Sequence, residues 1–543
     1  MNGVFVDDNR RQSPAPPTSA PPIAVACILL YLAVALVLFL AILHSNSGVF
    51  TYTLDDPYIH LALAQNLAHG HYGINRGEPS SPSSSIVWPF LLVPFAGHAW
   101  NLYAPLAWNI LFCGLAAWLI GRTVESWNWR PGPMTSPRRA WLLRFAIAAA
   151  LMLIANLPGL TFIGMEHGLQ LLLAIACAAG LAEVFTGRPI PTWCLCAAIL
   201  GPTIRYENFA LVAAVAVALY GQRRYRAAIV VIAFSLIGPA LFSLFLVAHG
   251  LPALPSSVLV KAKVYAFHRG LLVTAIATVM RSVNWGIREP SWWDQLLVAI
   301  LLVYLTIRER LRPARFVLAA ALLAALLQLT IGRFNWFHRY EVYAILFTVM
   351  IATAALIETT RLRPRYLVLG LFAFTWPYAL ALWETPTAAA NVYQQQYQMH
   401  RFLASFHGPA VAVNDLGLVS YDRPIGLYVL DLWGLASPEA SRQTDKNAAW
   451  LDAITRVHNA GLVIVYPSWY PGDSPADWEP LGTMCITSRR VSIALKCVVF
   501  YSTPQGDQAA LQAELADFAR TLPSTVKMTL GKDTTDTDED YDQ

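Results

Sequence analysis

Charge is what this chain has least of. Asp, Glu, Lys and Arg supply only 13% of its 543 residues, about half the roughly 25% usual in soluble domains. That scarcity excludes an ordinary water-facing globular protein. The net charge of +5 sits mostly on arginines in short loops, which marks topology rather than a nucleic-acid surface, and no DNA- or RNA-binding motif is present. No internal repeat is visible. No convincing cleavage site follows the first apolar run, Ile23 to Leu43, so that run is a retained span rather than a signal peptide. Cysteines are few, and five of them (Cys27, Cys113, Cys177, Cys194, Cys196) fall in apolar segments, where small buried thiols are the ordinary expectation.

What is abundant is apolar sequence, in blocks of about 17 to 22 residues, the length a helix needs to cross a hydrocarbon core of about 30 Å. The expected fold is an α-helical multi-pass membrane protein with about eleven spans, at 23–43, 102–120, 141–160, 168–186, 192–204, 208–221, 227–248, 293–307, 316–332, 341–358 and 366–383. Basic loops should collect on the cytoplasmic side. Arg122, Arg130, Arg138 and Arg139, then "GQRRYR", "RERLRPAR" and "RLRPR", place the N-terminus inside and the C-terminus outside. Residues 1–22 read as a disordered cytoplasmic lead, and 44–100 as an external loop whose segment "SSIVWPFLLVPFAGH" lies along the interface. A second interfacial helix is expected at 271–281.

After the transmembrane domain, 23–383, the composition becomes that of a soluble α/β domain over 384–525, followed by an acidic disordered tail, 526–543. Its pattern is strand, strand, helix, strand, a hairpin and a last helix at 507–521. Cys485 and Cys497 flank the presumed hairpin turn. An oxidising compartment favours a disulfide there, and two buried thiols fit the sequence equally well.

The charges that do occur fall at the outer ends of spans. Asp55 and Asp56 follow the first; Glu166 and His167 lie between the third and fourth; Arg205 and Glu207 lie between the fifth and sixth. Lys261 and Lys263 follow the seventh, and Arg333, His338, Arg339 and Glu341 surround the next outer turn. Each has a plain explanation: a helix stop for Asp55-Asp56-Pro57, a packing ion pair for Glu166 and Arg205, snorkelling for Lys261. Five clusters on one face, however, suit chemistry on an anionic lipid-linked substrate. Lys and Arg hold a phosphate, while a carboxylate takes a proton from a hydroxyl or shares a divalent cation with the phosphate.

These residues also carry a resemblance. "TLDDPYIHLALAQNLAHGHYGINRGEPSSPSSSIVWPFLL" resembles the first external loop of the GT-C superfamily of membrane glycosyltransferases, in the bacterial branch that uses polyprenyl-phosphate sugars. "GMEHGLQLLLAI", "RYENFALV", "HGLPALPSSVLVKAK" and "FHRYEVYAI" are similar to later elements of that branch, with Ser256 and Ser257 where Asn and Thr are usual. "VAVNDLGLVSYDRPIGLYVLDLWGLASPE" resembles the start of the external domain in relatives of mycobacterial arabinofuranosyltransferases. The resemblance covers about residues 23 to 440. It implies a GT-C-like fold and an inverting transfer of a hexose or pentose from a polyprenyl-phosphate sugar donor to a glycan, lipid or protein acceptor. The place implied is the outer face of the bacterial inner membrane, with the C-terminal domain periplasmic. The general base maps onto Asp55 or Asp56, and the second aspartate orients the acceptor or holds a metal, Mg or Mn. Donor phosphate falls to Lys261, Lys263, Arg339 and Arg333. Glu166, His167, Arg205, Glu207 and His338 support the pocket. Two other readings compete: a lipid or glycan flippase, which would place charges in mid-span, and a non-catalytic cell-envelope scaffold.

Overall fold

The computed structural model describes residues 21–128, 136–262, 271–359 and 364–531. The lead through residue 20, Arg130, Lys263, Arg361, Arg363 and the acidic tail from 532 lie outside the described residues. Among those described, eight helices are long and apolar enough to cross a membrane: Ile23–Ser45, Asn101–Ser126, Pro137–Ile163, His167–Thr186, Tyr225–Ala248, Pro290–Arg308, Arg312–Ile331 and Val342–Thr359. Helices form because hydrocarbon offers backbone groups no other partners. Small residues let them approach closely. Gly121, for instance, lies against the backbone of Ala24, where a Cβ would clash.

Eleven spans are not reached on length. Pro364–Ala373 and Trp376–Ala404 meet at 51° and make a ninth only if counted as one broken span. The remaining two expected spans are Thr192–Ile204 and Phe209–Gly221, of 13 residues each. Thirteen residues rise only about 20 Å, against a core of about 30 Å, so this pair makes a short hairpin whose tip carries Arg205. The interfacial helix expected in 84–98 is two short turns, Trp88–Leu92 and Val93–Phe95, each with a proline in its first turn. Leu271–Gly286 is a 16-residue helix and is not among the candidate spans.

The C-terminal part is a six-stranded sheet of order β2-β1-β3-β5-β4-β6, with β1 Ala410–Val413, β2 Tyr428–Asp431, β3 Leu462–Val465, β4 Glu479–Ile486, β5 Cys497–Ser502 and β6 Val526–Leu530. The first three are parallel and the rest antiparallel. β6 is a correction to the sequence reading, which began the disordered tail at 526; Gly482 to Ile486 of β4 pair with it, and Val526 is buried. Cys485 and Cys497 stand opposite each other in the β4–β5 register and are joined by a disulfide.

The sheet does not stand apart from the bundle. The helix Trp376–Gln394 runs through the expected boundary at 383/384. Its Asn391 side chain donates to Ser488 Oγ and Arg489 O and accepts from Val491 N in the hairpin loop. In β1, Val411 and Val413 join a core with Ile59, Leu63, Tyr72, Phe242 and Leu246 of the membrane part, while Ala410 and Ala412 face a separate core on the other side. Asn75 of the external loop caps the edge: its side chain donates to Val429 O and accepts from Val429 N of β2.

Candidate active site

The chain leaves the first span and is pinned before the aspartates arrive. Thr51 donates to Ala389 O, Thr53 N to Phe162 O and Tyr52 OH to Leu102 O. A helix then opens at Asp56, with Pro57 in its first turn. The helix-start reading of Asp55-Asp56-Pro57 therefore holds for the backbone, yet the Asp55 side chain makes no capping bond. It reaches into the C-terminal domain instead. Gly417 N donates to Asp55 Oδ2 at 2.7 Å and Leu418 N to Oδ1 at 2.8 Å. Only glycine fits at 417, because a Cβ would strike the carbonyl and carboxyl of Asp55.

Beside Asp55 lies Asp415, which follows β1. Its Oδ2 accepts from Gln396 Nε2 at 2.8 Å and from Tyr466 OH at 2.9 Å. Burial raises the affinity of Asp55 for its proton, and the nearby negative charge of Asp415 raises it further. Asp415 is likewise raised, chiefly by burial and then by Asp56. Two carboxyls this close in a dry setting resist ionising together.

Asp56 turns the other way, to Arg339 Nη2 at 2.5 Å. Arg339 is only 2% exposed. Its Nη1 donates to Met165 Sδ, its Nη2 to Tyr340 OH, and its guanidinium lies 4.9 Å from the Tyr340 ring centroid. Its Nε is buried without a hydrogen-bond partner among the described residues. Arg205 approaches the same ring, at 5.7 Å. Unlike Arg339 it meets two carboxylates, Glu166 at 2.6 Å and Glu207 at 2.8 Å, and Ser84 Oγ also accepts from it. His60, one turn beyond Asp56, lies 3.8 Å from Glu166. His167 packs near Tyr340.

Arg339 is presented by an unusual turn. Asn335, Trp336, Phe337 and His338 all have positive φ, between 51° and 69°, a left-handed stretch that costs about 1–2 kcal/mol per residue for L side chains. Glu341 holds it, accepting from Asn335 N and pairing with His338 Nδ1 at 2.7 Å, while Ser291 donates to the same carboxylate. Asn335 Nδ2 donates to Glu289. The turn sends His338 and Arg339 in different directions, so His338 belongs with Glu341, Ser291 and Tyr378.

Residues 390–501 match a domain of unknown function, DUF8728. No curated protein matches. Among solved structures, the crystal structure of the Archaeoglobus fulgidus oligosaccharyltransferase in complex with Zn and sulfate is similar over 87% of this chain and 74% of that one, at 12% identity and a TM-score of 0.47. A likeness of that degree carries no argument about activity.

The fold thus gathers four of the five expected clusters: Asp55 with Asp56, Glu166 with His167, Arg205 with Glu207, and Arg339. Lys261 lies in the helix Ser256–Ala262; its side chain and Lys263 are outside the described residues. The start of that helix is tied to the external loop, Ser256 N donating to Ser81 Oγ. Arg333 is exposed, its carbonyl accepting from Gln328. Sequence reasoning missed Asp415, Gly417, Tyr466, Tyr340 and Ser84. The signal available for Asp415 and Gly417 was an acid and a glycine just past an apolar strand, "VAVNDLG".

Asp55 and Asp56, expected as metal ligands, each meet protein partners in this fold. One carboxylate accepts two backbone amides and the other pairs with a guanidinium. Among the described residues no group of three or more His, Cys, Asp or Glu is placed to hold a metal ion.

Proposed function

We infer that the chain is an inverting glycosyltransferase, moving a sugar from a polyprenyl-phosphate donor to an acceptor hydroxyl at the outer face of a bacterial inner membrane, with its C-terminal domain on that side. The observation that carries this reading is the divergence of two adjacent carboxylates. Asp55 is aimed by two amides and has a raised proton affinity, which suits a general base. Asp56 holds Arg339, whose unsatisfied buried Nε–H suits an incoming anion.

In the reaction, the acceptor O–H proton passes to Asp55 as the oxygen attacks C1 of the sugar. The bond from C1 to the phosphate oxygen breaks on the opposite face, and its electron pair leaves with the phosphate. Arg339 stabilises that developing charge, and Asp56 keeps the guanidinium in place. Phosphate is already a good leaving group, so one base and a cation suffice without a second acid. Tyr340, between Arg339 and Arg205, couples this clamp to the Glu166–Arg205–Glu207 support.

The test uses the full-length protein in lipid with a panel of radiolabelled polyprenyl-phosphate sugars and an envelope extract as acceptor source. Asp55→Asn is expected to lower kcat by roughly a hundredfold or more, and Arg339→Gln to weaken donor use. Transfer that persists undiminished in both variants would sink the assignment. Donor binding with no turnover by the wild type would favour a flippase or scaffold.

A further inference from the structure

Parallel strands gather ligands at their carboxyl ends, in the crevice where successive connections leave in opposite directions. Here that crevice lies between β1 and β3: the chain leaves β1 toward β2, and leaves β3 toward the antiparallel side of the sheet. The residues just past these ends are Asn414 and Asp415 after β1, Trp433 after β2, and Tyr466 with Trp469 after β3. Asn414 Oδ1 accepts from Tyr466 N across the crevice. Asp55 of the membrane part is lodged at its floor, on the amides of Gly417 and Leu418.

An aromatic wall rises from that floor. Tyr466 OH touches Asp415, the Tyr466 ring lies 5.2 Å from that of Trp469, and Trp469 lies 4.7 Å from Trp433. Trp433 is 37% exposed, and its loop is held stiffly. The buried Asp431 carboxylate accepts from the amides of Trp433, Gly434 and Ala436. Lys446 donates to Leu432 O and Trp433 O while lying over the rings of Trp433 and Trp450. An exposed indole on a pre-ordered loop binds without first having to be ordered.

We propose that this wall is the acceptor subsite and that the acceptor is a glycan. The inference rests on the glycosyltransferase reading and adds the acceptor class to it. A sugar ring has a flat C–H face that stacks on indole and a rim of hydroxyls that needs carboxylate, amide or ammonium partners; Trp433 and Trp469 supply the first, Asp415 and Lys446 the second. An aliphatic chain would gain nothing from the polar half of this set. The wall runs from the part-exposed Trp433 through Trp469 and Tyr466 to Asp415, beside Asp55, the proposed acceptor base, whereas Arg339 lies on the other carboxylate. Acceptor and donor therefore enter from different sides.

The experiment measures binding of fluorescently labelled synthetic oligosaccharides, of pyranose and furanose type, to the full-length protein in nanodiscs by anisotropy, alongside transfer kinetics. Trp433→Ala and Trp469→Ala are each expected to weaken oligosaccharide binding and raise acceptor KM roughly tenfold, a stacking-sized loss, with donor KM moving less than twofold. Trp433→Phe should recover most of the loss, which a merely structural role would not predict. Unchanged binding in both alanine variants, or no oligosaccharide bound by the wild type, overturns the proposal. Oligosaccharide binding that is lost in Trp433→Ala, with no sugar transferred by the wild type, would uphold the subsite and remove only the transferase reading.

Discussion

Asp55 and Asp56 are chemically identical neighbours, and what separates them is the partner each one meets. A carboxylate beside a guanidinium is a poor proton acceptor; one buried beside a second acid is a better one. The sign of the pH effect follows. The proton affinity of Asp55 is raised, and a base works only when ionised, so if Asp55 is the base, as proposed, activity is expected to rise with pH through a limb lying above the ordinary carboxylate range of about 4. Removing the Asp415 charge lowers that affinity. The pH–kcat profile of Asp415→Asn should therefore have its acid limb shifted to lower pH. A limb that stays put or moves upward would show that Asp415 does not act on the base. Asp56→Asn has a different signature: Arg339 loses its counter-charge, so donor KM suffers more than the position of the limb.

Two short elements decide whether the site assembles. The four-residue turn Gly417–Ser420 supplies the amides for Asp55, and any side chain at 417 would push it away. Gly417→Ala should cost about 1–3 kcal/mol, as overpacking does, with activity falling alongside; thermal unfolding and limited proteolysis of the C-terminal domain read it out. The hairpin β4–β5 is the second. Its disulfide closes a loop of 12 residues in sequence, so replacing both Cys485 and Cys497 by Ser should destabilise the sheet by about 2–4 kcal/mol. Because Asn391 and Gln395 bind the loop between these strands, that loss would also loosen the sheet from the last membrane helix. The left-handed turn 335–338 is an opposite case, a locally unfavourable backbone kept by Glu341 and Glu289. Strain of this kind persists where surrounding contacts over-determine it.

At the scale of the whole molecule, membrane part and sheet share one core through Ile59, Leu63, Phe242 and Val411, and the acid centre straddles their boundary. Side-specific labelling tests the sidedness on which the proposed reaction depends. A cysteine introduced at the exposed position Val457 should react with a membrane-impermeant maleimide added outside. Labelling only after permeabilisation would put the sheet, and with it Asp55, on the cytoplasmic face.

The amino-acid order alone sets the solvent of each segment, because hydrocarbon demands long uninterrupted apolar helices and scarce charge, and it puts the polar clusters at span ends. It also determined the strand pattern of the sheet, since alternation and apolar runs are local properties. It counted 192–204 and 208–221 as spans, where the helices are only 13 residues long, and it assigned β6 to the tail, because a short edge strand is recognisable only by its partner. The tertiary structure alone decided which acid faces which neighbour. Asp415 lies 360 positions along the chain from Asp55, and only folding puts them in one dry pocket. Likewise, Arg339 and His338 are adjacent in sequence, and a left-handed turn sends one to Asp56 and the other to Glu341. Local pattern reveals what a residue is; proximity, set by packing across the membrane boundary, gives it a proton affinity and a role.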